Sequence, residues 1–207
     1  EANDNNILHF KKLFPRIDWN ILEKYSKDLI CTTACGSGII GSLLNNRKIE
    51  EASNVAKRLK DIFGTNLALE IQPNNLKRQA TPYNDYLDQT FVNHQLIQMS
   101  KKFDIKIIPA TNAHYLNKED SQAHDCLLAI SSLQPIESQS RLRYSDAEFY
   151  VKSREEIVSF FSRLYGEKQA EEWCDNTIEF SEMCENPKWI DPGYSNPSKK
   201  ELPEFDI

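Results

Sequence analysis

The sequence predicts an α/β fold built on parallel strands with helices outside them. Two observations carry that prediction. An apolar, strand-like run followed by sequence with helical spacing recurs three times, beginning at Leu29, Leu67 and Ile105. This is the order that parallel sheets require. The chain also has 207 residues, 40% of them hydrophobic, enough to bury a core as one domain or one and a fraction.

The elements follow in order. The first 18 residues lack a clean pattern, and Pro15-Arg16-Ile17-Asp18 opens a short helix from Trp19 to Lys27. Leu29 to Thr33 reads as a strand, and Gly36-Ser37-Gly38 turns into a helix through Leu44. The clearest helix carries Ile49, Ala52, Val55, Ala56, Leu59, Ile62 and Phe63 on one stripe, and Gly64 stops it. Leu67 to Ile71 is a strand, followed by a polar loop from Asn74 to Pro82. A long helix is expected from about Asp85 to Phe103, then a strand over 105–109. Asn117 caps a helix carrying Ala123, Leu127 and Ile130. Three such units are too few for a closed barrel, so the sheet is either small and open or a piece of something larger.

The remainder reads differently. Leu133 to Ser145 is a polar stretch without period. Ser153 and Glu156 form a capping box for a helix with Ile157, Phe160, Phe161 and Leu164 inward. A second helix spans about Lys168 to Cys184, and Pro187 to Ile207 is irregular and extended. The division is therefore 1–131 for the strand–helix part and 132–207 for a helical connector with its tail.

Composition narrows the function classes. Net charge is -6 and the isoelectric point about 5.3, whereas nucleic-acid-binding domains are usually basic. A broad phosphate-gripping surface is not expected. Mean hydropathy is -0.59, and no run approaches the ~18 apolar residues of a membrane span. The polar start, Glu1-Ala2-Asn3-Asp4, gives no secretory signal. Five cysteines, an odd number with no CxxC spacing, indicate neither a disulfide framework nor a zinc ribbon. A reducing cytoplasm is the expected location.

Three residues are candidates for chemistry. Asn112 and His114 follow the 105–109 strand, where α/β barrels place their active groups. In an extended segment they would project the same way. Imidazole is a common metal ligand, but asparagine is a weak one beside aspartate. Alone, His114 reads as a hydrogen-bonding histidine. Cys35 precedes a helix, a position that makes it a candidate ligand or nucleophile, more so once joined with His114. His94 and His124 lie on helices without ligand spacing and read as packing or surface residues. Gly36-Ser37-Gly38-Ile39-Ile40-Gly41 matches a dinucleotide fingerprint. Its acidic partner is missing, because Glu70 comes too late, so a glycine turn feeding a helix is favoured.

A family resemblance joins these words. Pro15-Arg16-Ile17-Asp18-Trp19, Ala34-Cys35, Ile62-Phe63-Gly64, Leu69-Glu70-Ile71-Gln72, Ala110-Thr111-Asn112, His114-Tyr115-Leu116 and Ala123-His124-Asp125 stand in the order of a known domain. So do Phe149-Tyr150-Val151-Lys152-Ser153 and Leu202-Pro203-Glu204-Phe205. The chain resembles the polymerase-and-histidinol-phosphatase (PHP) domain of bacterial replicative DNA polymerase III alpha subunits, from about Leu13 to Phe205.

The resemblance implies part of a distorted, TIM-like barrel with outer helices, then a connector towards a polymerase palm. It places Cys35 and His114 on metal ligands of that family, with Asn112 where an aspartate usually stands. The family's early histidines are expected to lie before Glu1. A divalent metal, zinc or manganese, is then expected to bind weakly. The polymerase aspartates are expected beyond Ile207, so DNA would be met only through the whole polymerase. Implied partners are the rest of the alpha subunit and the proofreading exonuclease. The competing readings are a free-standing PHP-type phosphoesterase, which needs a full ligand set, and a pure interaction module.

Overall fold

A computed structural model describes residues 17–78, 87–144 and 147–184. Three strands, β1 (Cys31–Thr32), β2 (Leu67–Ile71) and β5 (Lys106–Pro109), form one parallel sheet in the order β1-β2-β5. Cys31 stands opposite Leu67, and Leu69 opposite Ile107. The three strand ends therefore leave the sheet along one edge, as the repeated strand–helix order predicts. The central strand is the most apolar, because both its faces are covered: Leu67, Ala68, Leu69 and Ile71 are all buried. β1 is shorter than the run from Leu29 to Thr33. Past Thr32 its place in the ladder passes to a side chain, the Thr33 hydroxyl accepting from the Glu70 backbone N–H at 2.9 Å.

The helices follow local signals. In α1 (Trp19–Tyr25) the Asp18 carboxylate accepts from the Ile21 N–H at 2.9 Å, an N-cap. α2 (Ile39–Asn45) starts in the glycine turn. A Cβ on Gly41 would come within 2.7 Å of the Cys35 carbonyl oxygen and the Gly36 Cα. The glycine motif is thus a close backbone approach, as the turn-and-helix reading expects. α3 (Ile49–Phe63) buries Ala52, Ala56, Leu59 and Phe63 and ends at Gly64, whose φ of 57° is the left-handed stop.

The structure departs from the expected polar loop and from the expected helix start near Asp85. Lys77–Arg78 (β3) and Leu87–Asp88 (β4) pair antiparallel, and α4 begins only at Gln89, running to Phe103. Two-residue strands carry too little pattern to detect. The Asp88 carboxylate accepts from the Phe91 N–H at 3.1 Å and sets the true helix start. Positions 79–86 lie outside the described residues, as do 1–16 and the expected tail over 187–207.

After β5 a 3-10 turn (Lys118–Asp120) leads into α5 (Ser121–Ser132), with Asn117 and Asp120 closing a capping box. α6 (Arg154–Tyr165) has the expected box, the Ser153 hydroxyl accepting from Glu156 N–H and the Glu156 carboxylate accepting from Ser153 N–H. Leu164, expected inward, is 67% exposed, because Phe161 and Ile157 take the covered face. α7 (Glu167–Glu182) lies along β5: Asn176 donates to the Ile107 carbonyl at 3.0 Å, and Lys106 pairs with Glu179.

One hydrophobic core joins these parts. Leu69 and Ile71 of β2, Leu59 of α3, Leu96 of α4, Phe161 of α6 and Trp173 of α7 belong to a single buried cluster. Among the described residues, no helix is long and apolar enough to cross a membrane.

Candidate functional site

The shared edge of the strand ends is where sequence reasoning places the site. Cys35 lies three residues beyond β1, half-buried, its carbonyl accepting from Gly38 N–H at 2.9 Å. Asn112 and His114 lie beyond β5. With β2 between them, β1 and β5 stand about 10 Å apart, two strand spacings. The segment after Pro109 is not extended, since Asn112 takes a left-handed φ of 50°. The premise that Asn112 and His114 project together from an extended strand therefore fails. Asparagine tolerates this conformation better than most residues. The turn brings its carbonyl oxygen to His114, whose Nδ1–H donates to it at 2.6 Å.

That bond fixes the tautomer and leaves Nε2 of the neutral ring as an acceptor. Nε2 meets the Tyr144 hydroxyl at 3.3 Å. The ring also packs against His124 and Phe149, with centroids 5.3 and 5.5 Å away. Below it the connector is stitched to the strand exit. The Phe149 carbonyl accepts from His114 N–H at 2.7 Å, Val151 N–H donates to Leu116, and Tyr115 bridges Tyr150. Lys118 and Lys152 flank Glu148 at 2.6 and 3.2 Å. Burial pushes the Glu148 carboxyl up, but the two ammonium groups outweigh it and hold it below its usual range. The Glu156 carboxylate accepts the Tyr150 hydroxyl proton at 2.6 Å and, with burial, pushes that phenol up to about 12.

Two members of this cluster have no site role in the sequence reading, which gives His124 a packing or surface place and leaves Arg141 in the stretch without period. His124 on α5 packs edge-on against His114, and burial first, then electrostatic repulsion between the two imidazoles when both are protonated, lowers the His124 pKa. Arg141, in the stretch without period, has a fully buried side chain. It grips Asp125 with both Nη atoms, at 2.7 and 2.6 Å, and donates to the Ile136 and Leu142 carbonyls. The Arg141 hydrogen bonds hold the Asp125 carboxyl below the usual range. His124 and Asp125 help wall an open cavity of about 360 Å³, lined also by Tyr115, Ser121, Cys126 and Tyr144 among others. The Ala123-His124-Asp125 word was the available signal. Nothing in the local pattern announces a buried arginine.

A buried amide network sits beside the strand ends. Asn93 accepts from the Gln72 backbone N–H and from the Gln89 side chain, and donates to the Gln72 carbonyl. Nε2 of Gln72 and Nδ2 of Asn74 are buried without a hydrogen-bond partner. Both are N–H donors, which suit an acceptor such as water or a carbonyl and cannot ligate a cation. Among the described residues, no group of three or more His, Cys, Asp or Glu side chains could hold a metal ion. The described residues do not fit a divalent metal centre by themselves. His114 spends one nitrogen on a backbone carbonyl and aims the other at a tyrosine.

Comparison with known proteins adds a family relation. Residues 2–74 match the PHP domain, a stretch that includes Cys35 and ends before Asn112. Over 179 residues, 86% of this chain, the sequence is 35% identical to DNA polymerase III subunit alpha of Borreliella burgdorferi. Identity is 33% over 198 residues, 92% of this chain, to the protein of the same name from Aquifex aeolicus. It is 30% over 181 residues, 83% of this chain, to that of Helicobacter pylori. The matched part is 14%, 16% and 14% of those relatives, so the chain spans about one seventh of their length.

Proposed function

We propose that this chain, a relative of the DNA polymerase III alpha subunits that carries a PHP-domain segment, is a structural module of a cytoplasmic replicative DNA polymerase. It positions other parts of such an enzyme and catalyses nothing itself. Nucleotidyl transfer, and contact with DNA, belong to regions outside it. The observation that carries this reading is the stitching of residues 114–116 to 149–151. The place where an α/β fold would keep an open active site is here a joint between the sheet and the connector.

The sheet supports a partial barrel. Its β5 side is covered by α7 through Asn176, whereas β1 pairs only with β2 among the described residues. Further strands of a PHP-type barrel would add at β1. Cys35, Asn112 and His114 are then the remnant of a ligand set, and hold zinc or manganese only weakly. An acidic surface suits protein partners, the rest of the alpha subunit first and the proofreading exonuclease second.

Primer extension tests the division of labour. The purified chain should extend no primer above a buffer control, and should show no tight nucleotide binding. Extension by the chain alone would overturn the reading.

A further inference from the structure

The long edge of β5 that faces away from β2 is closed at successive positions. Ala110 N–H donates to the Ile71 carbonyl at 2.9 Å, so the even-numbered backbone groups of this strand face β2. The odd-numbered groups face the other way, because ladder groups alternate along a strand. Ser100 takes both groups of Ile105: its carbonyl accepts from Ile105 N–H at 3.1 Å, and its hydroxyl donates to the Ile105 carbonyl at 2.6 Å. Asn176 of α7 donates through Nδ2 to the Ile107 carbonyl at 3.0 Å. The next outward residue, Pro109, has no N–H to offer a neighbouring strand.

Helix α7 sits astride that edge. Trp173, Asn176 and Phe180 fall on one helical face. Trp173 belongs with Ile107 to the main buried cluster, on one side of the sheet. Phe180 belongs with Ile108 and Ala68 to a second cluster, on the other side, since successive strand side chains point to opposite faces. Asn176 meets the strand between the two rings, and Glu179 adds an ion pair to Lys106. Helix packing alone would be served by an apolar residue at 176, because an amide buried there costs desolvation unless it is bonded. Its bond to Ile107 replaces the one that a neighbouring strand's N–H would make.

We infer that α7 is an edge guard: Asn176 stands in for a ladder donor, and the helix keeps β5 from pairing with a second copy of this chain. An uncovered edge strand is a template for such pairing, and Ile105, Ile107 and Ile108 are the β-branched residues that favour it. While α7 is docked no strand adds at β5, so a sheet extended at β1 stays open along this seam. The inference does not depend on the polymerase reading.

The test is Asn176→Asp in the whole chain. The side chain keeps its size, but its carboxylate has no N–H to donate and repels the Ile107 carbonyl. Amide exchange and sedimentation are read over a range of chain concentrations. The expected results are exchange about tenfold or more faster in the second half of α7, association beyond that of the unaltered chain, and protection at 105–109 that grows with concentration. Faster exchange in α7 without added association overturns the guard, because the edge would be uncovered and still not pair. Unchanged exchange in α7 overturns the role of Asn176. Protection at 105–109 that grows with concentration in the unaltered chain also overturns the inference, since the edge would pair with α7 in place. Should the variant fail to fold, Asn176→Ala removes the donor without adding a charge, and the same measurements decide.

Discussion

Replacing Phe161 by alanine tests whether connector and sheet are one body. Phe161 is 1% exposed and meets Phe160 and Trp173 edge-on, with centroids 5.0 and 5.7 Å away. It shares its cluster with Leu69 and Ile71 of the central strand. A buried phenylalanine reduced to alanine costs about 3–5 kcal/mol, through lost burial and the cavity left behind. The tight edge-on packing on two aromatic neighbours places this site in the middle of that range, about 4 kcal/mol. In a chain of this size that lowers the thermal midpoint by roughly 10 °C. Urea unfolding by far-ultraviolet circular dichroism gives the magnitude, and amide exchange gives the location. The expectation is that protection falls together in α6, α7 and the strands at 67–71 and 106–109. Protection lost in α6 and α7 alone, with the strands unchanged, would refute the single core.

Three further outcomes follow from the same structure. Leu133→Gly should stabilise the isolated chain by about 0.5–1 kcal/mol, because Leu133 has a left-handed φ of 53° that glycine accepts without a Cβ clash; a lower thermal midpoint would contradict this. Gln72→Met removes a buried donor without a partner and keeps the volume, so stability should hold or rise by up to about 1 kcal/mol. A clear loss in urea titration would show that Nε2 is satisfied in solution. Asp125 binds its proton more weakly folded than unfolded. Its contribution is therefore complete above the unfolded pKa of about 3.9 and vanishes as pH falls through the lower folded value. Asp125→Asn should flatten that acid limb of the stability curve, and an unchanged limb would place the titration elsewhere.

What the sequence reveals follows from how each element is stabilised. β2, β5 and α3 are legible because burial alone selects their residues: an unbroken apolar run for a strand covered on both faces, a stripe for a helix on a core. The β3–β4 pair is not legible, since two residues such as Lys77 and Arg78 have no period, and the pairing comes from a distant Leu87. The site is half legible. His114 and Asn112 stand at a strand exit, but the turn at Asn112 redirects the imidazole towards Tyr144, thirty residues on. Arg141 reads as a solvated loop residue until Asp125 supplies the charge that lets it be buried. Leu127 and Ile130 of α5 are exposed, because periodicity reports an apolar stripe but not whether anything covers it.

Metal analysis of the dialysed chain tests the structural role most directly. The chain is measured after exposure to zinc and to manganese, alongside Cys35→Ala, His114→Ala and Asn112→Asp. The expected result is far less than one metal per chain, lowered further by the alanine substitutions, with Asn112→Asp giving a modest rise in affinity from the added negative charge. Stoichiometric metal that disappears with Cys35→Ala or His114→Ala would contradict the account, because the strand ends would then hold a complete site rather than a joint.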